Sequence, residues 1–452
     1  MKRNKTLVLF GYDWDRIEFK KLSREWKQAH AGFDLFSFPS SARLAWFDME
    51  RFSSLAALRA RVQGARAVVS NHEQFGALAA ALVAEKTGWP GTPVEAVLAC
   101  QHKLYAREIL ERVAPEANIP FRRLDAAYDA DIPEGLGYPT FVKPVKAAFS
   151  VLARTVHSHQ ALFDHTRFNR RELWIIRHLV EPFEKIVRRR LPGAGTAHSL
   201  MLEESLRGPQ YCLDGYCING EVRRLGIVDA IMYPGTDAFM RWDYPSHLPD
   251  KLQEKAEAIA ARFLQEVGYT HGFFNMEFVL DEQSGQLKVI ECNPRMAAQF
   301  SDLYARVDGL QLHEMALALS HGIDPATLPT KEPTAACASS FVYRSFGQTV
   351  PVRMPTASQR RAFSDAFPDG MLLQFPKSPG QIKRDFKWLG SYRFGIVHLG
   401  GDSPTDLARR CEHASSVLGW TAPYVEHAAD LPGFIRNGDA WPAAIGTENA
   451  SG

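Results

Sequence analysis

The chain has 452 residues, 46% of them hydrophobic and 23% charged, with a net charge of +2. That is a globular composition with room for about three domains of roughly 150 residues, and its near-neutral charge gives no global case for binding nucleic acid or a membrane surface. No window approaches the roughly 18 apolar residues of a membrane-spanning helix, and six scattered cysteines without metal-ligand spacing point to a reducing cytoplasm.

The N-terminal run MKRNKTLVLFGYDWD holds a five-residue apolar segment, too short for a signal-peptide core. Thr6–Phe10, Phe33–Phe38 and Ala67–Ser70 have the form of buried parallel strands, separated by helical patterns at Phe19–Gln28 and Leu55–Gln63. Asp13 and Asp15 fit the start of a loop and helix better than a metal site. Helices are expected at His72–Thr87, Glu95–Cys100 and Lys103–Val113, and a proline-rich junction lies near residue 120. Thr140–Val145 and Leu152–Val156 pattern as a hairpin, Gln160–Arg190 as one long helical region, and Ser199–Glu203 as a strand. Tyr211–Ile218 and Glu221–Tyr233 flank Asn219-Gly220, the strongest hairpin turn in the chain. Helices at Leu252–Gln265 and Gln311–His321 enclose a further hairpin. From Thr330 the composition shifts to short strands (Ser340–Tyr343, Gly395–Leu399), an amphipathic helix at Thr405–Leu418, and a tail at 443–452 that reads as disordered. The fold class is α/β, α+β in places. The expected domains are 1–120, 121–206, 207–329 and 330–452.

The chemistry concentrates in Gly272–Arg295, GFFNMEFVLDEQSGQLKVIECNPR. Two strand-like runs flank a polar turn, and folding about Ser284 sets Glu277 opposite Glu291. Period-2 alternation puts Asn293 on the face of Glu291. Opposed carboxylates, with Cβ atoms about 4.5–5.5 Å apart, repel unless something positive lies between them. Two hard oxygen ligands and an amide suit Mg2+. The bland alternative is a solvated hairpin with two surface glutamates.

Other residues extend the pattern. Lys143 sits inside an apolar strand and needs a partner, unless it snorkels from an edge. Lys103 heads a helix. Glu203-Glu204 ends a strand, where paired acids are commonly solvated; the connector to Leu206 also offers backbone groups suited to the edge of an adenine ring. Arg295, two residues after Asn293, can clamp phosphate oxygens or pair with one of the acids. Arg241, in Ile231–His247, can meet a substrate carboxylate or form a salt bridge, the latter being the plainer reading. His198 and His271 read as structural.

These pieces, in this order over residues 65–325, resemble the ATP-grasp superfamily, and within it the carboxylate–amine ligases such as L-amino-acid ligases and D-alanine–D-alanine ligase. The residues that carry the resemblance are WPGTPVEAVLACQHK, YPTFVKPV, LEESLRGPQY, NMEF and ECNPR. The resemblance implies an ATP-grasp fold with an N-terminal Rossmann-like domain, a small subdomain (121–206), a large subdomain with the metal site (207–329) and a C-terminal mixed unit. It implies one or two Mg2+ ions, with Mn2+ as a substitute, on Glu277, Glu291 and Asn293. It gives Lys103 and Lys143 to the phosphates of ATP, and Glu203, Glu204 and Leu206 to adenine. Gln210 falls where a ribose-binding acid is common, and Arg295 and Lys143 take the catalytic roles at the transferring phosphoryl group. The implied reaction joins a small-molecule carboxylate, such as an amino acid, to an amine through an acyl phosphate, releasing ADP and phosphate. A homodimer is compatible with it. A kinase, a carboxylase and an inactive nucleotide-binding regulator are the alternatives. The sequence departs from the family at 145–154, where a glycine-rich turn is expected and no glycine occurs. Ser150, with Lys146 and Arg154, is left to contact the phosphates.

Overall fold

A computed structural model describes residues 5–35, 40–124, 126, 128–147, 152–347 and 350–423. They form two compact units. The first comprises 1–227, 248–298 and 312–329, and the second 228–247, 299–311 and 330–452.

The first unit opens with a parallel sheet of order β2-β1-β3, built from β1 (Lys5–Leu9), β2 (Gln28–Ala31) and β3 (Ala65–Val69). Helices Asp13–Leu22 and Met49–Val62 connect the strands, giving the expected Rossmann-like layer. The second strand in the chain lies earlier than Phe33–Phe38. Gln28–Ala31 carries little apolar side chain and is only half-buried, because it forms the sheet edge. The first helix likewise starts at Asp13, not Phe19. The carboxylate of Asp15 caps it by accepting from Tyr12 N at 2.9 Å, and also takes bonds from Asn71 and His313. Asp15 is therefore a structural acid.

A four-stranded antiparallel sheet of order β4-β7-β5-β6 follows, from β4 (Phe121–Leu124), β5 (Thr140–Pro144), β6 (Arg154–Val156) and β7 (Leu200–Glu203). The long helical region between β6 and β7 is two helices, His159–Thr166 and Arg170–Arg190. They separate where Asn169 forms a capping box with Glu172, a local N-cap that overrides the continuous helical pattern.

The unit's remaining strands are β8 (Gln210–Ile218), the first half of β9 (Glu221–Met232), and the hairpin β11 (Gly272–Leu280) and β12 (Leu287–Asn293). Strand β8 pairs with β11, and β12 forms the sheet edge. Asn219 and Gly220 both take positive φ, 53° and 83°, as the Asn-Gly turn requires. Helix Asp250–Glu266 and helices Val94–Gln101 and Lys103–Val113 cover one face of these strands, with Leu213, Phe274, Met276, Phe278, Leu287 and Val289 in the shared core. Gly208 has φ +146°, and a Cβ there would lie 2.0 Å from the carbonyl oxygen of Leu280. Gly208→Ala is expected to lower stability by about 2 kcal/mol or more, read as a drop in the denaturant midpoint at unchanged slope.

In the second unit the rest of β9 pairs with β10 (Phe239–Tyr244), followed by β13 (Cys337–Ser345), β15 (Tyr392–Gly401) and β14 (Met371–Gln374) in antiparallel order. Helix Pro404–Leu418 packs against this sheet. Strand β10 accounts for the aromatic stretch Ile231–His247. Its Arg241 is buried, with Nε 2.8 Å from Asp243 Oδ2, and Ser339 Oγ donates to the other Asp243 oxygen at 2.6 Å. The guanidinium thus forms an internal ion pair, inside the protein and not on its surface. Among the described residues no helix is long and apolar enough to cross a membrane.

Candidate active site

Strand alternation divides β11 and β8 into two faces. Phe274, Met276 and Phe278 enter the core with Leu213, while Asn275 and Glu277 share the other face with Cys212 and Asp214. On β12 alternation alone would fail, because Leu287 and Val289 are core residues and Glu291 has the same parity. A bulge resolves this. Phe278 pairs with Val289 but Glu277 pairs with Glu291, so Ile290 is an extra residue. Beyond it Glu291 and Asn293 lie opposite Glu277 and Asn275, on the polar face. The expected pairing of the two glutamates is therefore present. Next to the turn, however, the register runs one residue away from a fold centred on Ser284, and the bulge restores it.

Asn293 Nδ2 donates to Glu277 Oε1 at 3.0 Å and to Asn275 Oδ1 at 3.1 Å, and Asn275 donates to Asp214 at 3.0 Å. Glu277 has no bonded cation among the described residues. Burial, and then the charge of Glu291, push its carboxyl well above its ordinary value. Glu291 pairs with Lys103, which holds its carboxyl well down against burial.

Lys103 is the first residue of its helix. Its backbone N–H donates to Val145 O at 3.1 Å, which ties the helix start to the chain just beyond β5. One turn later Arg107 is almost fully buried. Its Nε lies 2.6 Å from Glu203 Oε1, and its two terminal nitrogens donate to Val289 O at 2.5 Å and Ile290 O at 2.9 Å. The other Glu203 oxygen meets Lys143 Nζ at 2.8 Å. Both partners hold the Glu203 carboxyl low. Lys143 is nevertheless pulled down to about 8, because burial and the nearby cations outweigh a carboxylate it shares with Arg107. Lys146 is also buried. Its ammonium sits 4.9 Å over the Phe183 ring with no hydrogen-bond acceptor among the described residues, and burial lowers it to about 7.

Arg295 Nη2 donates to Glu73 Oε2 at 2.7 Å, and the Glu73 N–H donates to the Tyr12 hydroxyl at 3.3 Å. Tyr12 stacks on His72 with ring centroids 4.8 Å apart. The loops after β1 and β3, at the carboxyl ends of parallel strands, thus reach the guanidinium. Ligands preferentially bind at such ends. A cavity of about 1620 Å³ opens beside them, lined by Phe10, Tyr12, Arg16, Phe33 and His72 among others.

The structure gathers Lys103, Glu277, Glu291, Asn293 and Arg295 into one polar cluster and joins Lys143 to Glu203. The Glu204 N–H is already bonded to Pro120 O at 3.0 Å, Leu206 lies in the connector after β7, and Gln210 starts β8 on the Glu277 face. Arg154 begins β6, and Ser150 lies outside the described residues. Sequence reasoning passed over Arg107, Glu73 and Tyr12. Arg107 was findable, being four residues after Lys103 on one helix and so on the same face. The partner of Glu73 is remote in sequence and leaves no local signal.

Among the described residues no three His, Cys, Asp or Glu side chains converge on a metal-sized position. The donor set is two carboxylates and an amide. It fits a hard divalent cation: the acids are opposed, no cation bonds Glu277 among the described residues, and the Asn293 amide lies beside them.

The fold is the ATP-grasp fold. The family described as carbamoyl-phosphate synthase L chain, ATP binding domain, matches residues 244–328, which include the β11–β12 hairpin. The L-amino acid ligase of Bacillus licheniformis superposes with a TM-score of 0.66 at 16% identity, over 92% of this chain and 98% of that one. Biotin carboxylase of Campylobacter jejuni gives 0.60 at 13% identity, over 97% and 98%. N5-carboxyaminoimidazole ribonucleotide synthetase of Thermus thermophilus gives 0.59 at 17% identity, over 92% and 99%. None of the curated proteins compared matches this sequence.

Proposed function

We propose that this chain is an ATP-dependent carboxylate–amine ligase, forming an amide or peptide bond through an acyl phosphate and releasing ADP and phosphate. One observation carries the reading: the opposed acids Glu277 and Glu291, with Asn293, are gathered with the Lys103 ammonium and the Arg295 guanidinium. Among the described residues no cation bonds Glu277, and the buried Lys146 ammonium, over the Phe183 ring, bonds no acceptor. A ligand carrying both an anion and a cation, such as a metal–phosphate pair, satisfies both.

In this reading Glu277, Glu291 and Asn293 would hold Mg2+ (or Mn2+), which supplies neutralisation of phosphate oxygens when bound. Lys103, Lys143 and Lys146 offset the charge of the phosphate chain as point charges. Ser150 belongs to the same group by sequence. Glu203 accepts from the adenine amino group, the backbone of Glu204 and Leu206 borders the ring, and Gln210 meets the ribose. Arg295, held by Glu73, faces the transferring group and stabilises its developing charge. A substrate carboxylate oxygen forms a bond to the γ-phosphorus as the bond to ADP breaks. The amine nitrogen then bonds to the carbonyl carbon as phosphate leaves with the electron pair, and the amine loses a proton. The substrates are small molecules, amino acids among the candidates. The domain limits expected from the sequence and a cytoplasmic location belong to the same proposal.

Calorimetry with ATP and Mg2+, followed by an ADP-release screen over pairs of amino acids, tests it. Binding should require the metal, and ADP should appear only when both a carboxylate and an amine are present. A stable phosphorylated product would mean a kinase, bicarbonate-dependent turnover a carboxylase, and binding without turnover a regulator. Each of these outcomes would overturn the ligase reading.

A further inference from the structure

Arg107 bonds at once to the hinge acid Glu203 and to the carbonyl oxygens of Val289 and Ile290. Successive carbonyls of a regular strand point to opposite sides, so one guanidinium can hold two of them only where the strand is bulged. Here the extra residue is Ile290 itself. Strand β12 is the sheet edge, so these outward carbonyls have no strand partner and would otherwise be left unsatisfied. The bulge is also what moves Glu291 and Asn293 off the core face occupied by Leu287 and Val289.

We infer that Arg107 is a positioning residue: by bonding the two carbonyls of the β12 bulge it fixes Glu291 and Asn293 on the polar face, and through Glu203 it ties that face to the nucleotide hinge. Asn118 braces it, accepting from Arg107 Nη1 at 3.4 Å and donating to Arg107 O at 3.1 Å. Lys103, on the same helix face, then reaches Glu291 directly. One helix face thus sets both the strand's register and its charge partner.

The structural half of this inference stands on its own, and its functional half rests on the ligase reading. Arg107→Gln removes the charge beside Glu203 and is prone to unfold. Arg107→Lys keeps the charge but cannot span two carbonyls and a carboxylate. The control is Leu78→Ala, a core truncation in the helix Gly76–Thr87. In Arg107→Lys, hydrogen-exchange protection of the Leu287–Asn293 amides should fall roughly tenfold relative to the rest of the unit. The Mg2+ concentration for half-maximal ATP binding should rise at least about tenfold, as when a metal ligand loses its support. Leu78→Ala, at a similar loss of Tm, should change neither selectively. Unchanged exchange and metal dependence in Arg107→Lys overturns the inference, as does an equal shift in the control. If the wild-type protein binds no Mg–ATP, the ligase reading falls, and the exchange comparison alone still decides whether Arg107 holds the bulge.

Discussion

Glu291→Ala will lower ATP turnover by about a thousandfold, measured as ADP release under the substrate pair that the screen identifies. The size follows from position. Glu291 lies directly opposite Glu277 and bonds Lys103, so its loss removes a proposed metal ligand and frees a cation to approach Glu277 instead. The remaining acid would then be neutralised by protein, and the site would lose its affinity for a divalent ion. The sequence alone suggests little cost in folding. The structure adds one, because Lys103 loses its partner. Both side chains retain some exposure, 13% for Lys103 and 21% for Glu291, which limits the loss to about 1–3 kcal/mol. A folded variant with full turnover would remove Glu291 from the metal assignment.

Glu203→Ala will have the larger effect on stability, about 3–5 kcal/mol, because it strands two buried cations at once. Its pH dependence has a definite sign. The Glu203 carboxyl is held below its ordinary value, so its contribution is full above the unfolded pKa and is lost as pH falls through the folded value. The variant should therefore lose less stability on acidification than the wild type. Lys143 acts at the other end. Its folded pKa, about 8, lies below that of the unfolded chain, so stability rises with pH above about 8 until the unfolded lysine has also titrated. Without Glu203 that rise should begin at lower pH. Urea midpoints across the pH range measure both limbs. Equal acid sensitivity in the two proteins would show that Glu203 is not the titrating group.

Much of this arrangement was legible in the sequence because it depends on short-range pattern. The Asn219-Gly220 hairpin, the β11–β12 hairpin and the helix from Lys103 all follow from periodicity and turn chemistry within one short stretch of chain. The facing of Glu277 and Glu291 was also legible, but the bulge that makes it compatible with Val289 in the core was not. A bulge is an extra residue, and in a one-dimensional pattern it cannot be told from a longer turn. The edge strand Gln28–Ala31 was missed because an edge needs little apolar surface, while the more hydrophobic Phe33–Phe38 competed for the assignment. Glu73 was missed because its partner Arg295 lies 222 residues away, whereas Arg107, whose partner Val289 lies 182 residues away, was legible only as a helix-face neighbour of Lys103. The role of Glu203 was read from its neighbours in sequence, and its pairing with two cations appears only in three dimensions.

The extra residue at Ile290 also uncouples two lengths that a hairpin normally shares. The turn at Asp281–Gln286 lies on one side of it and the paired acids on the other, so the geometry of the acids is set locally and not counted from the turn. Past Glu282, whose N–H donates to Arg207 O, the tip of the turn is accordingly a place where this fold can absorb insertions, labels or grafted sequence. Between Ile290 and Asn293 a change of one residue would rotate every following side chain to the wrong face. The hairpin therefore has a tolerant tip and an intolerant base, with the boundary at a single residue.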